Sequence, residues 1–500
     1  MLETRYPQLS FLLRLTEKKE RPRLVPLPQL DLKDKEILYV LGIGHYDKIK
    51  PWLHEKEERK LIYLEDDLQA LHHIDTDFLD DPQVHLRVLM QNAPLETFAD
   101  ELAEQFPFDQ LEVIDLKNSP HFEELKLLIQ RKTTVRHAIF QERFYYPKLC
   151  ANLLENFPLI NGAAYINHWG GAFSNVPAII CGAGPSIQNL FPLLREMQDR
   201  ALIVAGGTAI SVLTKAGITP HLGIAIDPNP EEYHHLKDHK AGEMPLIFAS
   251  RLQPKALRLF PGKKIYYRSF TGGPLENWFE KEIGLIDPPL QKTAHQEALS
   301  VTTAALNIVA HLGCKEISLA GVDLAYTDGK RYPDQKKSQT KSKRVRDETI
   351  VRDGVETQVK WVMEADWIAA FAKTHSELTL TTCTTGGLQL EIPYKPLAHK
   401  TPIQISFDKF ETLNVDTQKP LQKLFTSLKR CKVYIDEMDG PLYEVAFDDL
   451  QNEIAYTVCL KAFLEAVTKR YPSKEKKIQY LKLAVQEFDK YEKFLLNRQI

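Results

Sequence analysis

The chain has 500 residues, and its 64 basic and 67 acidic side chains give a formal net charge of −3 at pH 7. This balance argues against a general nucleic-acid binder and leaves room only for a local basic patch. No apolar run approaches the ~20 residues that span a bilayer, and the N-terminus lacks the apolar core of a signal peptide. We therefore expect a cytoplasmic protein without a membrane span, built from roughly two to four domains.

The six cysteines are scattered, and no two of them form a Cys-x-x-Cys pair. Most lie in apolar or helical segments, which favours buried, reduced thiols over disulfides or a zinc site. We expect neither a bound metal nor a cofactor. The positions are Cys150, Cys181, Cys314, Cys383, Cys431 and Cys459.

Residues 1–150 are predicted to form a small Rossmann-like α/β domain that ends in a helical connector. The apolar run 37–41 leads into a Gly-Ile-Gly turn, and the next run, 60–64, ends in Glu65. An acidic side chain about 20 residues after a Gly-x-Gly turn holds a ribose in many nucleotide-binding domains. The third glycine of that motif is missing, so the domain either binds a nucleotide or docks a partner. Further strands are predicted at 84–89 and 111–114.

Three apolar runs follow between residues 178 and 226, and each ends in turn residues. Such runs, rich in β-branched side chains and separated by helix-length segments, predict buried parallel strands joined by right-handed crossovers. Their carboxyl ends meet at one sheet edge, where open α/β sheets bind ligands. The runs are 178–181 before Gly182, 201–205 before Gly206-Gly207-Thr208, and 222–226 before Asp227.

The turn 182–186, with the sequence Gly-Ala-Gly-Pro-Ser, has the composition of an anion-binding turn. Gly182 and Gly184 permit positive φ and a close approach of backbone N–H groups to a phosphate, and a following helix adds its positive dipole end. Pro185 suits a first helical turn, and Ser186 can donate from its hydroxyl. An ordinary strand-to-helix turn with Ser186 as the cap explains the same residues, so both interpretations stay open.

The pattern of strands and helices continues beyond residue 245. Ser300 predicts the start of a helix by capping it, and Gly313 predicts its end. The strand that follows leads to Asp323, whose carboxylate we expect at the same edge as Gly182 and Asp227. Further strands are predicted at 245–249, 264–267, 316–323 and, followed by a glycine turn, from 378.

Three segments in this order resemble the motility-associated factor (Maf) glycosyltransferases of bacteria. They are the turn 182–186, the helix end Leu312-Gly313-Cys314-Lys315-Glu316-Ile317, and Gly321-Val322-Asp323-Leu324-Ala325-Tyr326. The same region is similar, more distantly, to bacterial sialyltransferases that use a CMP-activated sugar. The resemblance implies an α/β fold with an N-terminal Rossmann-like domain at 1–150, a central Rossmann-like, sialyltransferase-type domain at 151–404 and a helical domain at 405–500.

The reaction that the Maf resemblance implies is the transfer of a nonulosonic acid, either pseudaminic, legionaminic or sialic acid-like. The donor would be the CMP-activated sugar, and the acceptor would be serine or threonine of a protein such as flagellin. The amphipathic helices beyond residue 405 are expected to pack, to form a homo-oligomer or to receive the protein acceptor.

The resemblance also assigns residues to the donor site. In the sialyltransferases the Gly-x-Gly-Pro-Ser turn holds CMP through backbone donors, and the entry to the second helix contacts cytosine and ribose. Two tyrosines after the Gly-x-Asp strand hold the phosphate, and Tyr326 and Tyr332 are the corresponding residues here. The donor-binding candidates are Gly182, Gly184, Pro185, Ser186, Gly206, Thr208, Ser300, Thr302 and Tyr332.

The catalytic candidates are Asp227, His295, Asp323 and Tyr326. A phenol O–H such as that of Tyr326 is a neutral donor to a departing phosphate. Asp227 and Asp323 each have three candidate roles, which are to orient the acceptor, to bind a metal or to cap a turn. The sialyltransferases use a histidine base beyond the tyrosines, but no histidine lies between Tyr332 and His375. The general base is therefore unassigned. His295 is a candidate for it if it lies near the carboxyl edge of the sheet, and otherwise it is a polar cap.

Departures from the family patterns keep two other functions open. Ala183 stands where the sialyltransferases usually have asparagine, and the entry to the second helix lacks a Maf-like Gly-Gly. One alternative is a 6-hydroxymethylpterin diphosphokinase-like, ATP-dependent transferase, in which Asp227 and Asp323 would hold magnesium. The other alternative is a noncatalytic nucleotide-binding relative.

Basic side chains are expected to meet the carboxylate that a nonulosonic acid donor carries. Arg251 and Arg268 follow predicted strands and are candidates for this contact. The basic run 336–346 is either a solvated loop or a lid that closes over the anionic donor.

Overall fold

The structure is a computed structural model. It describes residues 5–496 except for 17–24, 30, 68–70, 73–76, 90–93, 109, 119, 270, 291–299, 328, 334–348, 399–400, 409 and 472. The chain folds into two compact units, Met1–Glu142 and Arg143–Ile500. The candidate His295 and the basic run 336–346 lie outside the described residues.

The first unit is built on a four-stranded parallel sheet in the order β3-β2-β1-β4. Every residue of β1 is buried, because alternate side chains face two cores: Leu38 packs with Ile49, and Tyr39 packs with Leu102. The predicted Rossmann-like architecture of this region is confirmed. The strands are β1 (Ile37–Leu41), β2 (Lys60–Glu65), β3 (Val84–Val88) and β4 (Leu111–Asp115), and the helices are α1 (Pro7–Arg14), α2 (Tyr46–Leu53), α3 (Leu95–Gln105) and α4 (Pro120–Phe144).

Glu65, the acidic residue at the end of β2, is held inside the first unit rather than presented to a ligand. Its side chain is 1% exposed. The Lys117 ammonium donates to Glu65 Oε1, which also accepts from the backbone N–H of Asp67 at 3.0 Å. Burial raises the pKa of the Glu65 carboxyl, and the contacts with Lys117 offset part of that shift. Glu65 therefore forms a buried ion pair with Lys117.

The second unit contains an eight-stranded parallel sheet in the order β14-β11-β6-β7-β8-β9-β10-β5. The chain runs outward from β6 to β10 on one side and returns through β11 and β14 on the other, so the strand order reverses between β6 and β11. Strands β12 and β13 form a separate antiparallel hairpin. The strands are β5 (Ala164–Tyr165), β6 (Ala178–Cys181), β7 (Leu202–Gly206), β8 (Leu222–Ala225), β9 (Leu246–Phe248), β10 (Lys264–Tyr266), β11 (Glu316–Ala320), β12 (Thr349–Arg352), β13 (Val355–Gln358) and β14 (Thr379–Thr382).

Helices cover both faces of the large sheet. On one face Ile179 of β6 packs in a core that includes Leu153 and Leu424, and on the other Ile180 packs in a core with Leu306 and Ile368. The helices are α5 (Tyr146–Asn156), α6 (Phe191–Glu196), α7 (Thr208–Lys215), α8 (Pro230–Leu236), α9 (Pro254–Leu257), α10 (Gly273–Glu282), α11 (Val301–His311), α12 (Val359–Thr374), α13 (Gln418–Glu437), α14 (Tyr443–Gln451), α15 (Lys461–Arg470) and α16 (Lys474–Leu496).

The mixed α/β fold with a helical C-terminal region confirms the predicted fold class. Residues of α13, α15 and α16 belong to the same core as the large sheet, and the boundary placed at residue 405 stays a prediction. Among the helices that the structure describes, none combines the length and the apolar character that a membrane span requires.

Candidate functional site

The candidate site lies at the carboxyl edge of the large sheet, where the strand order reverses between β6 and β11. Such switch points open a crevice in which α/β proteins bind ligands. The turn after β6 and the turn after β11 are hydrogen-bonded to each other. Gly182 N–H donates to Ala320 O at 2.8 Å, and Gly184 N–H donates to Gly321 O at 2.8 Å. The two motifs that were singled out in the sequence therefore form one structural element.

Asp323 joins these two turns through its side chain. One carboxylate oxygen accepts from the Ser186 N–H at 3.0 Å and from the Thr327 hydroxyl at 3.1 Å. The other accepts from the Ser186 hydroxyl. Asp323 is only 2% exposed. Burial raises the pKa of its carboxyl, and the hydrogen bonds from Ser186 and Thr327 offset part of the shift. In this structure Asp323 therefore fixes the position of Ser186.

The glycines of this turn provide space rather than unusual backbone angles. Gly184 has a φ of −64°. A Cβ on Gly184 would lie 2.4 Å from Asp323 Cγ, and a Cβ on Gly182 would lie 2.4 Å from Gly321 O. The expectation that these glycines serve a positive φ is therefore wrong, because the requirement is the close approach of two chain segments.

The backbone donors of the glycine turn are largely used within the protein. The N–H groups of Gly182, Gly184 and Ser186 have the protein acceptors given above, and Pro185 has no N–H. Ala183 N–H has no hydrogen-bond partner among the described residues. The helix that follows begins as a 3₁₀ segment at Pro185–Leu190. Phosphate binding by this turn stays a prediction, with Ala183 as its available backbone donor.

The second predicted binding segment, Gly206 with Thr208, lies beside the start of α11. A Cβ on Gly206 would be 1.6 Å from Val301 Cγ1, so only glycine allows the helix to begin here. Ser300 caps α11 and accepts from Thr302 N–H at 3.1 Å. Its hydroxyl donates to Glu364 Oε1 at 2.5 Å. Thr208 begins α7 without a side-chain cap.

Tyr326 is positioned by the β12–β13 hairpin. Its N–H donates to Glu356 O at 2.8 Å, and its phenol oxygen accepts from Gln358 Nε2 at 2.7 Å. The ring lies 5.0 Å from the Trp361 ring, between centroids. Tyr326 is 8% exposed. A phenol is a neutral hydrogen-bond donor as well as an acceptor, which is the property that the predicted role requires.

Aromatic and cationic contacts connect Tyr326 with Tyr332, the other predicted phosphate ligand. The Arg331 guanidinium lies 5.5 Å from the Trp361 ring centroid and 5.0 Å from that of Tyr332. The Tyr332 ring lies 6.3 Å from the His235 ring. Both predicted tyrosines therefore belong to one cluster, to which Arg331 and His235 contribute.

The remaining predicted residues have local roles in the structure. Asp227 Oδ1 accepts from Asn229 N–H at 2.9 Å and from Asn229 Nδ2 at 2.7 Å, which is a turn-capping arrangement. Arg251 donates to Thr271 O at 2.8 Å, and Arg268 donates to Glu280 Oε2 at 2.7 Å. All six cysteines are buried and free, as predicted.

The comparisons with known proteins can now be set beside this geometry. Residues 151–329 match the family model described as 6-hydroxymethylpterin diphosphokinase MptE-like. The chain is similar to the structure of a MAf glycosyltransferase from Magnetospirillum magneticum AMB-1. That similarity has a TM-score of 0.46 and 14% identity, and it covers 97% of this chain and 86% of the other. No curated protein matches the chain.

Several residues of the cluster were missed by sequence reasoning. Gln358 follows the basic run 336–346, and no motif marks it. Glu232 and His235 lie three residues apart on α8, and such a polar pair resembles an ordinary solvent-facing helix surface. Glu232, however, is only 4% exposed. Burial raises the pKa of its carboxyl.

A buried carboxyl pair at the far end of the sheet was also missed. Glu276 accepts from Gly272 N–H at 3.0 Å and from the Ser250 hydroxyl, and Glu280 accepts from the Tyr266 phenol at 2.6 Å. Burial, followed by the charge of Glu280, raises the pKa of Glu276 to about 8. Burial raises that of Glu280 to about 7.

Proposed function

We propose that this protein is a glycosyltransferase that moves a nonulosonic acid from a CMP-activated donor to serine or threonine of a protein acceptor such as flagellin. The observation that carries the proposal is the cluster at the sheet's carboxyl edge, in which Tyr326, Arg331 and Tyr332 are linked through Trp361. The similarity of the sequence motifs to the Maf and sialyltransferase families supplies the donor and acceptor classes.

The chemistry of this transfer fits the groups in the cluster. The transition state resembles an oxocarbenium ion, and CMP departs with a growing charge on its phosphate. A neutral donor fixed in a low-dielectric site stabilises such a charge, and we assign this role to Tyr326 with help from Tyr332. Gln358 holds the phenol of Tyr326 in place through its 2.7 Å hydrogen bond.

The donor's own carboxylate needs a cationic partner. Arg251 and Arg268, the residues expected from the sequence, already donate to Thr271 O and Glu280. Arg331 is a further candidate, because its guanidinium rests on the rings of Tyr332 and Trp361. Stacking of this kind orients the planar N–H edge for carboxylate recognition.

The nucleotide would lie along the ends of β6 and β7. The available donors there are Ala183 N–H and the first N–H groups of α7, which begins at Thr208. The Gly207 N–H before it already donates to Ile224 O at 3.1 Å. The dipole at the start of this helix favours a phosphate. Ser300 and Thr302 enter from α11 beside Gly206. We assign the ribose and the cytosine of the donor to the part of the site beside the start of α11.

The pterin diphosphokinase alternative is favoured by the family model that matches residues 151–329. In that reading Asp227 and Asp323 would bind magnesium with ATP. The Asp323 carboxylate, however, already accepts hydrogen bonds from Ser186 and Thr327. Asp227 Oδ1 accepts two from Asn229. A hydrogen-bonded carboxylate can also bind a metal, so the metal dependence of nucleotide binding decides between the two functions.

Calorimetric titration of the full chain with CMP, CDP, UDP, ATP and S-adenosylmethionine, with and without magnesium, tests the proposal. We expect selective binding of CMP and CDP that does not require the metal. Magnesium-dependent ATP binding would contradict the proposal in favour of the diphosphokinase. Absence of binding across the panel would contradict both nucleotide-dependent transferases.

A further inference from the structure

The proposed transfer requires a group that takes the proton of the acceptor hydroxyl. The candidate suggested by the sequence, His295, lies outside the described residues. The geometry points to His235, oriented by Glu232, as the general base at the carboxyl edge of the large sheet. This inference rests on the proposed function, which leaves the general base unassigned, and it gives that role to His235.

His235 lies beside the group that is assigned to the departing phosphate. It sits on α8, the helix that follows β8, and its ring centroid is 6.3 Å from that of Tyr332. The Ser211 hydroxyl donates to His235 O at 2.6 Å and so fixes the backbone at this point. The side chain is 41% exposed, which allows an acceptor hydroxyl to reach it. The imidazole is thus accessible, anchored and adjacent to Tyr332.

Glu232 is the partner that would orient this imidazole. Its Oε2 lies 3.9 Å from His235 Nδ1. Its other oxygen, Oε1, is buried and has no hydrogen-bond partner among the described residues. Buried polar atoms of this kind call for an explanation beyond packing. A carboxylate that accepts from Nδ1–H fixes the tautomer in which Nε2 is the proton acceptor. Catalytic contacts often tighten to hydrogen-bond length only in the substrate complex.

The pair also lies against the segment assigned to the nucleotide. Both carboxylate oxygens of Glu232 are 3.7 Å from the position that a Cβ on Gly207 would occupy. Gly207 connects β7 to α7 and has a φ of 50°. Glu232 therefore lies against the turn after β7, and His235 lies beside Tyr332, which shares a cluster with Tyr326. An acceptor bound between His235 and Tyr326 would have its hydroxyl near the sugar.

These groups account for every bond and every proton that changes in the chemical step. The acceptor oxygen forms a bond to the anomeric carbon of the nonulosonic acid as the bond from that carbon to the phosphate oxygen breaks. The bonding electron pair leaves with CMP, whose charge is stabilised by the Tyr326 O–H. Nε2 of His235 takes the hydroxyl proton, and the imidazolium later releases it to water.

The test compares His235→Gln with His234→Gln in the full chain. His234 is the adjacent, exposed residue of the same helix and has an edge contact with Tyr233 at 5.6 Å between ring centroids. CMP release is measured from CMP-pseudaminic acid and from CMP-N-acetylneuraminic acid, and CMP affinity is measured by calorimetry. We expect His235→Gln to lower kcat by about 10²–10⁴-fold, as for loss of a general base, with unchanged CMP affinity. His234→Gln should stay within about twofold of the unchanged chain in the same assay.

Glu232→Gln tests the positioning role. Because the amide is isosteric and uncharged, we expect the fold to be retained. The kcat should fall while the KM for the donor stays the same, since Glu232 acts through the imidazole rather than on the substrate. Equal changes in kcat and KM would show instead that Glu232 shapes the nucleotide site, and they would overturn the positioning role.

The outcomes separate this inference from the proposed function. If the unchanged chain neither binds CMP nor releases it from either sugar nucleotide, the proposed function fails. There is then no transfer reaction in which His235 could act as the general base. If the unchanged chain is active and His235→Gln is as active as His234→Gln, only the assignment of the base is overturned. If His235→Gln loses both CMP affinity and turnover, His235 is a binding residue and not the base.

Discussion

A buried acidic residue lies at the end of a strand in the small sheet and another lies on a helix that follows a strand of the large sheet, and the surroundings of the two residues differ. In the small sheet, Glu65 is neutralised by the Lys117 ammonium and by backbone N–H groups. At the edge of the large sheet, Glu232 has one oxygen without a partner among the described residues and a loosely placed histidine near the other. A satisfied buried acid stabilises the fold, whereas an unsatisfied one next to an exposed imidazole marks a place where a ligand completes the structure.

This comparison predicts unequal stability effects for two substitutions, and the larger effect is in the small sheet. Lys117→Met should destabilise the first unit by about 3–5 kcal/mol, because it leaves Glu65 as an uncompensated buried charge. Glu232→Gln should change the free energy of unfolding by less than about 1 kcal/mol, since no ion partner is stranded. Urea unfolding followed by hydrogen exchange in the peptides of β1 and β2 measures the first effect. Equal stability of the two variants would contradict the comparison.

Removal of the Tyr326 hydroxyl should affect catalysis and leave the fold intact. We expect Tyr326→Phe to lower kcat by about 10²–10³-fold, the usual effect of losing one donor to a developing oxyanion. The exposed Tyr394 provides the matched control, and Tyr394→Phe should leave CMP release unchanged. A Tyr326→Phe variant with unchanged kcat would remove this phenol from the mechanism.

Gly184→Val should break the contact between the two turns of the large sheet. The new Cβ would meet Asp323 Cγ at 2.4 Å and displace the carboxylate that holds Ser186. We expect a destabilisation of about 1–3 kcal/mol, as for overpacking, together with loss of CMP binding in calorimetry. Gly386→Ala is the control for stability, because its Cβ would meet only Thr327 Cγ2 at 3.9 Å. A folded Gly184→Val protein with unchanged CMP affinity would show that the turn does not take part in binding.

A further effect concerns the pH dependence of stability in the second unit. Glu276 and Glu280 have folded-state pKa values raised to about 8 and about 7. The folded state therefore keeps protons that the unfolded state releases above its ordinary carboxyl pKa of 4.5, and stability should fall as the pH rises from about 4.5 through the folded-state values. The slope is at most about 1.4 kcal/mol per pH unit for each proton. Glu276→Gln should flatten the decline in melting temperature between pH 5 and pH 9. A variant with the same pH profile as the unchanged chain would contradict this assignment.

The sequence was sufficient to predict the strands and the edge at which the candidate residues meet. Short β-branched runs such as 178–181 and 222–226 have few alternatives to buried parallel strands. The capped helix from Ser300 was also predictable, because its cap and its stop are local signals. Local pattern and strand polarity therefore gave the fold class and the location of the candidate site.

The partners of the candidate residues could not be predicted in the same way. Asp323 and Ser186 are 137 positions apart in the chain, and only the strand order brings them together. Nothing in the sequence around Glu232 indicates that this side of α8 is buried while His235 remains exposed. Whether a carboxylate is satisfied, as Glu65 is, or left with an open oxygen depends on such long-range contacts.

Hydrogen exchange of the full chain with and without CMP is the most direct test of the central claim, which is that the donor binds at the carboxyl edge of the large sheet. The account predicts slower exchange in peptides covering 182–190, 206–215 and 300–305 when CMP is present. It predicts no change in peptides covering 37–65 of the small sheet. Protection of 37–65 by CMP, with no change at the edge of the large sheet, would contradict the account.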